Sequence, residues 1–123
     1  MFTAFFSLSL EESEAYRNLP FLAKGGQLYA NAGDNSFPKS EVKRYLDGIG
    51  AIYRAVPAGR IAMELEAPMS ANLALLGYFS AFGQGPLSQE ELRKTVDMVS
   101  PDRFKEINLR VFDAGFQKGR EEA

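Results

Sequence analysis

The chain has 123 residues, 46% hydrophobic and 24% charged, with a formal net charge of −2. These values fit one ordinary globular domain and argue against a surface built for nucleic acid. There is no Cys and no His, which removes disulfides, thiol nucleophiles, the Ser-His-Asp and Cys-His constellations and the usual zinc ligands. A cysteine-free chain fits a reducing compartment, so a cytoplasmic location is expected.

Taken in order, Phe2, Ala4, Phe6, Leu8 and Leu10 alternate with Thr3, Phe5, Ser7 and Ser9. A period of two predicts a first strand over Phe2 to Ser9. The same stretch lacks the basic start of a signal peptide, and Glu11, Glu12 and Glu14 follow it at once. No segment approaches the ~20 apolar residues of a membrane span. Ser9-Leu-Glu-Glu12 has the form of a capping box, so a helix is expected from Leu10 to about Asn18. Pro20 breaks it and Gly25-Gly26 ends the segment. Gln27 to Asn31 reads as a short second strand, and Ala32-Gly-Asp-Asn-Ser36 as a loop. Asp34 and Asn35 are the loop-borne candidates for a hard cation, but they lack the ligand spacing of a calcium loop, and no metal is expected.

Pro38 suits the first turn of a helix on which Val42, Tyr45 and Leu46 share a face. Its end is open. Ile49, Ile52, Tyr53 and Val56 would prolong the stripe, but Gly48 and Gly50 would sit inside it at a cost of about 1 kcal/mol each. Val56-Pro57-Ala58-Gly59-Arg60 has the turn chemistry of a hairpin loop, and Ile61, Met63 and Leu65 alternate with Ala62, Glu64 and Glu66. The preferred reading is a hairpin of residues 51–56 against 60–66. Pro68 and Ser70 introduce a helix over Ala71 to Phe82, apolar nearly all round and therefore buried. Gly83-Gln-Gly85 stops it. Ser88-Gln-Glu-Glu91 is a second capping-box pattern, opening a helix to about Val99. Ser100-Pro101 starts a last helix with the stripe Phe104, Ile107, Val111 and Phe112, and a frayed tail is expected over 119–123. The expected fold is therefore α+β: one domain, 1–123, in two layers. A small antiparallel sheet, made of the N-terminal strand and the central hairpin, packs on about four to five helices.

Chemistry is constrained mainly by what is missing. Glu64 and Glu66 would share one strand face, but polar alternation accounts for them. Gly25-Gly26 and Gly48-Ile-Gly50 match no phosphate-binding pattern, so no cofactor is expected. Phe5 would stand among Thr3, Ser7 and Ser9 on a wet sheet face, a natural interface anchor, with Arg54, Arg60, Glu64 and Glu66 as its polar rim. The preferred function is a non-catalytic protein-interaction domain: an assembly factor, inhibitor or adaptor binding another protein, with a homodimer as its simplest version. Two readings stay open beside it. One is a small enzyme using only Asp, Glu, Lys or Tyr chemistry. The other is a weak nucleic-acid binder through residues 36–60, where five basic residues face two acidic ones. The C-terminal residues Ser88-Gln-Glu-Glu-Leu92, Val99-Ser-Pro-Asp-Arg-Phe104 and the closing helix resemble phage tail-assembly chaperones. The resemblance implies a small helical phage assembly factor that binds other phage proteins and does no chemistry.

Overall fold

A computed structural model of the chain describes residues 3–33, 37–83 and 85–123. It divides into two compact units, the first ending at Pro57 and the second running from Ala58 to Ala123.

The first unit holds β1 (Ala4–Ser9), α1 (Glu12–Arg17), β2 (Leu22–Asn31), α2 (Ser40–Gly48) and β3 (Ile52–Val56), with a 3-10 turn at Leu19–Phe21. The strands form one sheet in the order β1-β2-β3, and both pairings are parallel. The antiparallel sheet expected from the sequence is therefore wrong. Parallel neighbours need a crossover long enough to return the chain to the same end of the sheet, and α1 and α2 supply the two crossovers. The central strand β2 is longer than its periodicity suggests, because it runs straight through Gly25-Gly26. Ala4 pairs with Leu22 but Phe6 already pairs with Gln27, so β2 bulges there. Gly25 has φ +71, and a Cβ on Gly26 would lie 2.9 Å from the Phe5 carbonyl oxygen. The two glycines permit the bulge and do not end the strand. Beyond it, Gln27, Leu28, Tyr29 and Ala30 are all buried, the continuous run of a central parallel strand rather than an alternation.

One sheet face is closed by the helices. Ala15 of α1 and Leu46 of α2 pack with Leu22, Leu28, Ala30 and Phe37, and Val42 and Tyr53 lie against them. Ser9 belongs to β1, opposite Ala30, and is buried. It does not cap α1, whose N-cap is Glu11 with no side-chain hydrogen bond. Sheet pairing thus overrode the capping-box pattern. At Ser88 the same pattern is realised: the Glu91 N–H donates to Ser88 Oγ at 3.1 Å and the Ser88 N–H to Glu91 Oε1 at 3.1 Å.

The second unit is helical: α3 (Ala58–Glu64), a 3-10 turn at Pro68–Ser70, α4 (Ala71–Ser80), α5 (Gln89–Val99) and α6 (Asp102–Glu122). The expected strand 60–66 is instead α3. Ala58 and Ala62 are buried four residues apart while Met63 is exposed, a helical spacing that the apparent alternation of Ile61, Met63 and Leu65 concealed. Pro57 precedes a helix, a position proline tolerates well, rather than opening a turn between strands. In α4, Ala74, Leu75, Gly77, Tyr78, Phe79 and Ser80 are buried. Helix α6 meets α4 along glycines: a Cβ on Gly77 would run into the backbone of Phe112, one on Gly115 into the backbone of Ala74, and one on Gly119 would lie 2.7 Å from the Tyr78 carbonyl oxygen. The Tyr78 hydroxyl donates to Glu122 Oε1 at 2.8 Å near the end of α6. Arg93 of α5 makes a paired contact with Asp113 of α6, Nε to Oδ1 at 2.7 Å and Nη2 to Oδ2 at 2.8 Å.

Two substitution sets test this packing by urea denaturation. Gly115→Ala should destabilise by about 3 kcal/mol or more, since the methyl has no space short of separating the helices; a loss under about 1 kcal/mol would show that α4 and α6 can part freely. Leu75, 3% exposed, is the buried leucine of α4, whereas Leu76 is only half-buried. Leu75→Ala should cost about 2–5 kcal/mol and Leu76→Ala clearly less.

Candidate functional site

In the first unit, the sheet face away from α1 and α2 carries Gln27, Tyr29 and Arg54. Register sets Leu8, Tyr29 and Arg54 side by side across β1, β2 and β3, with Phe6, Gln27 and Ile52 in the row before. Tyr29 is fully buried, and its hydroxyl donates to Gln27 Oε1 at 2.6 Å. Burial pushes the Tyr29 hydroxyl above its ordinary pKa of 10.0, and the neighbouring Arg54 guanidinium opposes that rise. Tyr29 therefore stays a neutral donor throughout the physiological range. The column orders β2 from within; a hydroxyl held this way serves positioning better than proton transfer.

The edge strand β1 is different in character. Its sequence, Ala-Phe-Phe-Ser-Leu-Ser, carries no charge and no proline, the usual protections of a sheet edge. Phe5 is 49% exposed and packs edge-on against Phe6, ring centroids 5.0 Å apart. Phe6, Ser7, Leu8 and Phe21 border an open groove of about 400 Å³ beside it.

The second unit has its own concave feature, a notch of about 440 Å³ between the α3–α4 connection and the start of α6. Glu66, Pro68, Met69, Ser70, Phe104 and Asn108 line it. Its polar side is organised by Asn108: Ser70 Oγ donates to Asn108 Oδ1 at 3.0 Å, and Asn108 Nδ2 donates to Ser100 Oγ at 2.9 Å. Its rim is set by the end of α3. The Ala67 N–H donates to the Ala62 carbonyl at 2.8 Å and the Glu66 N–H to that of Met63 at 2.9 Å. This is a Schellman ending whose left-handed position, normally glycine, is occupied by Glu66 at φ 59. A residue with a Cβ costs roughly 1 kcal/mol there.

The five residues singled out from the sequence are dispersed. Phe5 lies on β1 and Arg54 on β3, the two edges of the sheet. Arg60 and Glu64 are one turn apart on α3, and Glu66 follows that helix. Glu64 and Glu66 therefore do not share a strand face. Asp34 and Asn35 lie outside the described residues, as does Phe2. Among the described residues, no three acidic side chains converge on a point that could hold a metal ion, and no helix is long and apolar enough to cross a membrane. Sequence reasoning missed Asn108 and Ser70, which are 38 residues apart and announce nothing by spacing. It also missed Tyr29, a polar aromatic in a strand too weakly patterned to predict as central.

Comparison with known proteins places this arrangement. A family model described as pyruvate ferredoxin/flavodoxin oxidoreductase matches residues 3–118. The indolepyruvate oxidoreductase subunits IorB of Thermococcus kodakarensis and Pyrococcus horikoshii are 29% and 27% identical over 126 residues; each match covers 93% of this chain and 62% of the relative. Among solved structures, the gamma subunit of a keto/oxoacid ferredoxin oxidoreductase from Geobacter sulfurreducens superposes with TM-score 0.72 at 21% identity, over 94% of this chain and 64% of that one. The pyruvate oxidoreductase subunit PORC of Thermotoga maritima gives 0.70 at 19% identity, over 95% and 64%. The chain thus spans less than two thirds of the length of the relatives it matches. These matches overturn the reading as a non-enzymatic adaptor or inhibitor, and with it the phage assembly factor: the similarity runs through residues 3–118, whereas the chaperone resemblance rested on helix-capping patterns common to many folds. They give no support to a small enzyme using only Asp, Glu, Lys or Tyr chemistry, or to a nucleic-acid binder through residues 36–60.

The polar column offers a direct measurement. Tyr29→Phe removes the hydroxyl that donates to Gln27 and should cost about 1–3 kcal/mol in denaturant unfolding, the penalty of leaving a buried acceptor poorly paired. A cost near zero would mean the column contributes nothing to the order of β2.

Proposed function

The chain belongs to the pyruvate ferredoxin/flavodoxin oxidoreductase family, and from that premise we propose that it works as part of a multisubunit oxidoreductase. This enzyme oxidises a 2-oxoacid and passes the electrons to ferredoxin or flavodoxin. The observation that carries the reading is the family match across residues 3–118. An aryl 2-oxoacid is the favoured substrate class, because both curated relatives are named for indolepyruvate.

Electron delivery to ferredoxin calls for a redox centre, and iron–sulfur clusters are held by Cys thiolates, with His in a minority of types. With no Cys and no His, these residues do not fit such a cluster, so its ligands belong to other parts of the complex. What the chain offers is surface. The uncharged edge of β1, with Phe5 exposed on it and the groove toward Phe21 beside it, supports a contact with another subunit. A sheet edge without charge or proline presents unpaired backbone groups that favour pairing with another chain. Arg54, Arg60, Glu64 and Glu66 were expected as the rim of one face.

Two measurements test this reading. Anaerobic purification through a tag on this chain should bring down 2-oxoacid-dependent reduction of a viologen dye, faster with indolepyruvate than with pyruvate. A tagged chain that recovers other subunits without any 2-oxoacid-dependent activity would overturn the reading. For the β1 edge, Phe5→Glu should leave the domain folded and weaken assembly by about tenfold or more, equivalent to about 1.4 kcal/mol. Unchanged assembly of a folded variant would remove this edge from the interface.

A further inference from the structure

Three features set the notch in the second unit apart from an incidental surface hollow. Its volume, about 440 Å³, lies in the range of pockets that accept ligand groups. Its apolar walls are presented to solvent: Met69 is 93% exposed and Phe104 45%. The lining residues include one charged side chain, Glu66. Glu66 takes part in no ion pair among the described residues.

The backbone at Glu66 is the decisive feature. A Schellman ending selects glycine at its left-handed position because any Cβ is strained there. Here the position has φ 59 and carries a carboxylate. Glycine would close the α3 helix better. The strain is thus retained together with a side chain that does nothing for the helix end, and strain kept against an easy alternative marks a position where the side chain is needed. That side chain borders the notch. Beside it, Asn108 ties Ser70 to Ser100, which fixes the notch wall on two sides. Met69, 93% exposed, stands at its rim as an adaptable apolar side chain, of the kind methionine supplies at binding surfaces.

We propose that this notch is a receptor for a basic side chain, Lys or Arg, of a partner subunit, its head group paired with Glu66 and its aliphatic stem laid between Met69 and Phe104. Charge and shape both suit such a side chain. Lys and Arg are the side chains whose apolar stem needs walls of this kind while the charged head stays at a wet rim. Phe104 serves as an apolar wall and not as a cation-binding face, because the Arg103 guanidinium of this chain already lies over its ring, 4.7 Å from the centroid. A plain apolar side chain would use the walls and leave the carboxylate without purpose. A small amine would pair with the carboxylate and leave most of the walls bare.

The proposal rests on the chain acting within a multisubunit oxidoreductase, and the experiment keeps the two apart. Tagged chain, wild type or carrying Glu66→Gln or Glu66→Gly, is expressed in the native organism, and assembly with the other subunits is measured at low and at moderate salt. Glu66→Gln keeps the side chain's size and the backbone strain but removes the charge. Glu66→Gly removes both. Both variants should assemble at least about tenfold more weakly than wild type at low salt, and the difference should shrink as salt screens the pair. The isolated Glu66→Gly domain should melt no lower than wild type, and a few degrees higher if the strain is fully relieved. Weak assembly with undiminished stability is an outcome that a purely structural residue would not produce. If the wild-type chain assembles and both variants assemble equally well at every salt concentration, Glu66 recognises nothing and this proposal alone fails. If the wild-type chain joins no other subunit, the functional reading fails and this one with it.

Discussion

Helices α4 and α6 meet with almost no side chain between them: Gly77 lies against the backbone of Phe112 and Phe116, Gly115 against that of Ala74, and Gly119 against Tyr78 and Ala81. Contacts this close replace side-chain interdigitation with backbone-to-backbone dispersion, which is strong only while every atom stays in register. The rest of the second unit is arranged around that seam. Tyr78 and Phe79 are buried from one side of it, and Val111 and Phe112 from the other. Arg93 holds α5 to α6 through Asp113. Asn108, one turn before Phe112 on α6, anchors Ser70 at the start of α4. The notch bordered by Glu66 inherits its geometry from the seam, because its two walls are the ends of elements that the glycines bring together.

The first unit is governed by a different constraint. A parallel sheet of three strands in sequential order puts both crossover helices on one face when each crossover takes its usual right hand, and α1 and α2 are found packed against the same residues of β2. The opposite face then carries a buried polar aromatic, Tyr29, with Gln27 and Arg54 beside it. Each unit has a polar side chain that ties its neighbours together: the buried Tyr29 hydroxyl on the sheet and the half-buried Asn108 amide on the helices. In both, hydrogen bonds to neighbouring side chains satisfy it, which is the condition under which such groups fix a unique arrangement.

Membership of an oxidoreductase family is compatible with a composition that holds no thiol and no imidazole. In a multisubunit enzyme the residues that bind redox centres and the residues that hold subunits together can lie on different chains, so the absence of a catalytic constellation in one chain says little about the activity of the whole. What the composition does constrain is the contribution of this chain. Its titratable groups are carboxylates, amines, guanidinia and phenols; the exposed ones suit recognition by charge, while the buried phenols of Tyr29 and Tyr78 suit order.

Much of the helical framework was legible from the sequence. The stripe on α6, the apolar circumference of α4 and the capping box at Ser88 all depend on neighbours three or four residues away, and such neighbours are in contact in a helix whatever the rest of the chain does. The first strand was legible for the same reason, through its alternation. Strand direction was not, since a parallel and an antiparallel partner ask for the same local residues. The choice was made by α1 and α2 crossing back over the sheet, a contact between residues far apart in sequence. The same non-locality hid the glycine bulge in β2, where Gly25-Gly26 has the local signature of a strand end. It hid the helical nature of Ala58–Glu64, where alternation of Ile61, Met63 and Leu65 competed with the i,i+4 burial of Ala58 and Ala62. It also hid the notch, whose walls come from residues near 68 and near 106. By itself the sequence determined which segments are regular and which chemistries are absent. Only the tertiary structure decided how the strands are directed and which side chains meet, because those depend on backbone approaches that glycine permits but does not announce.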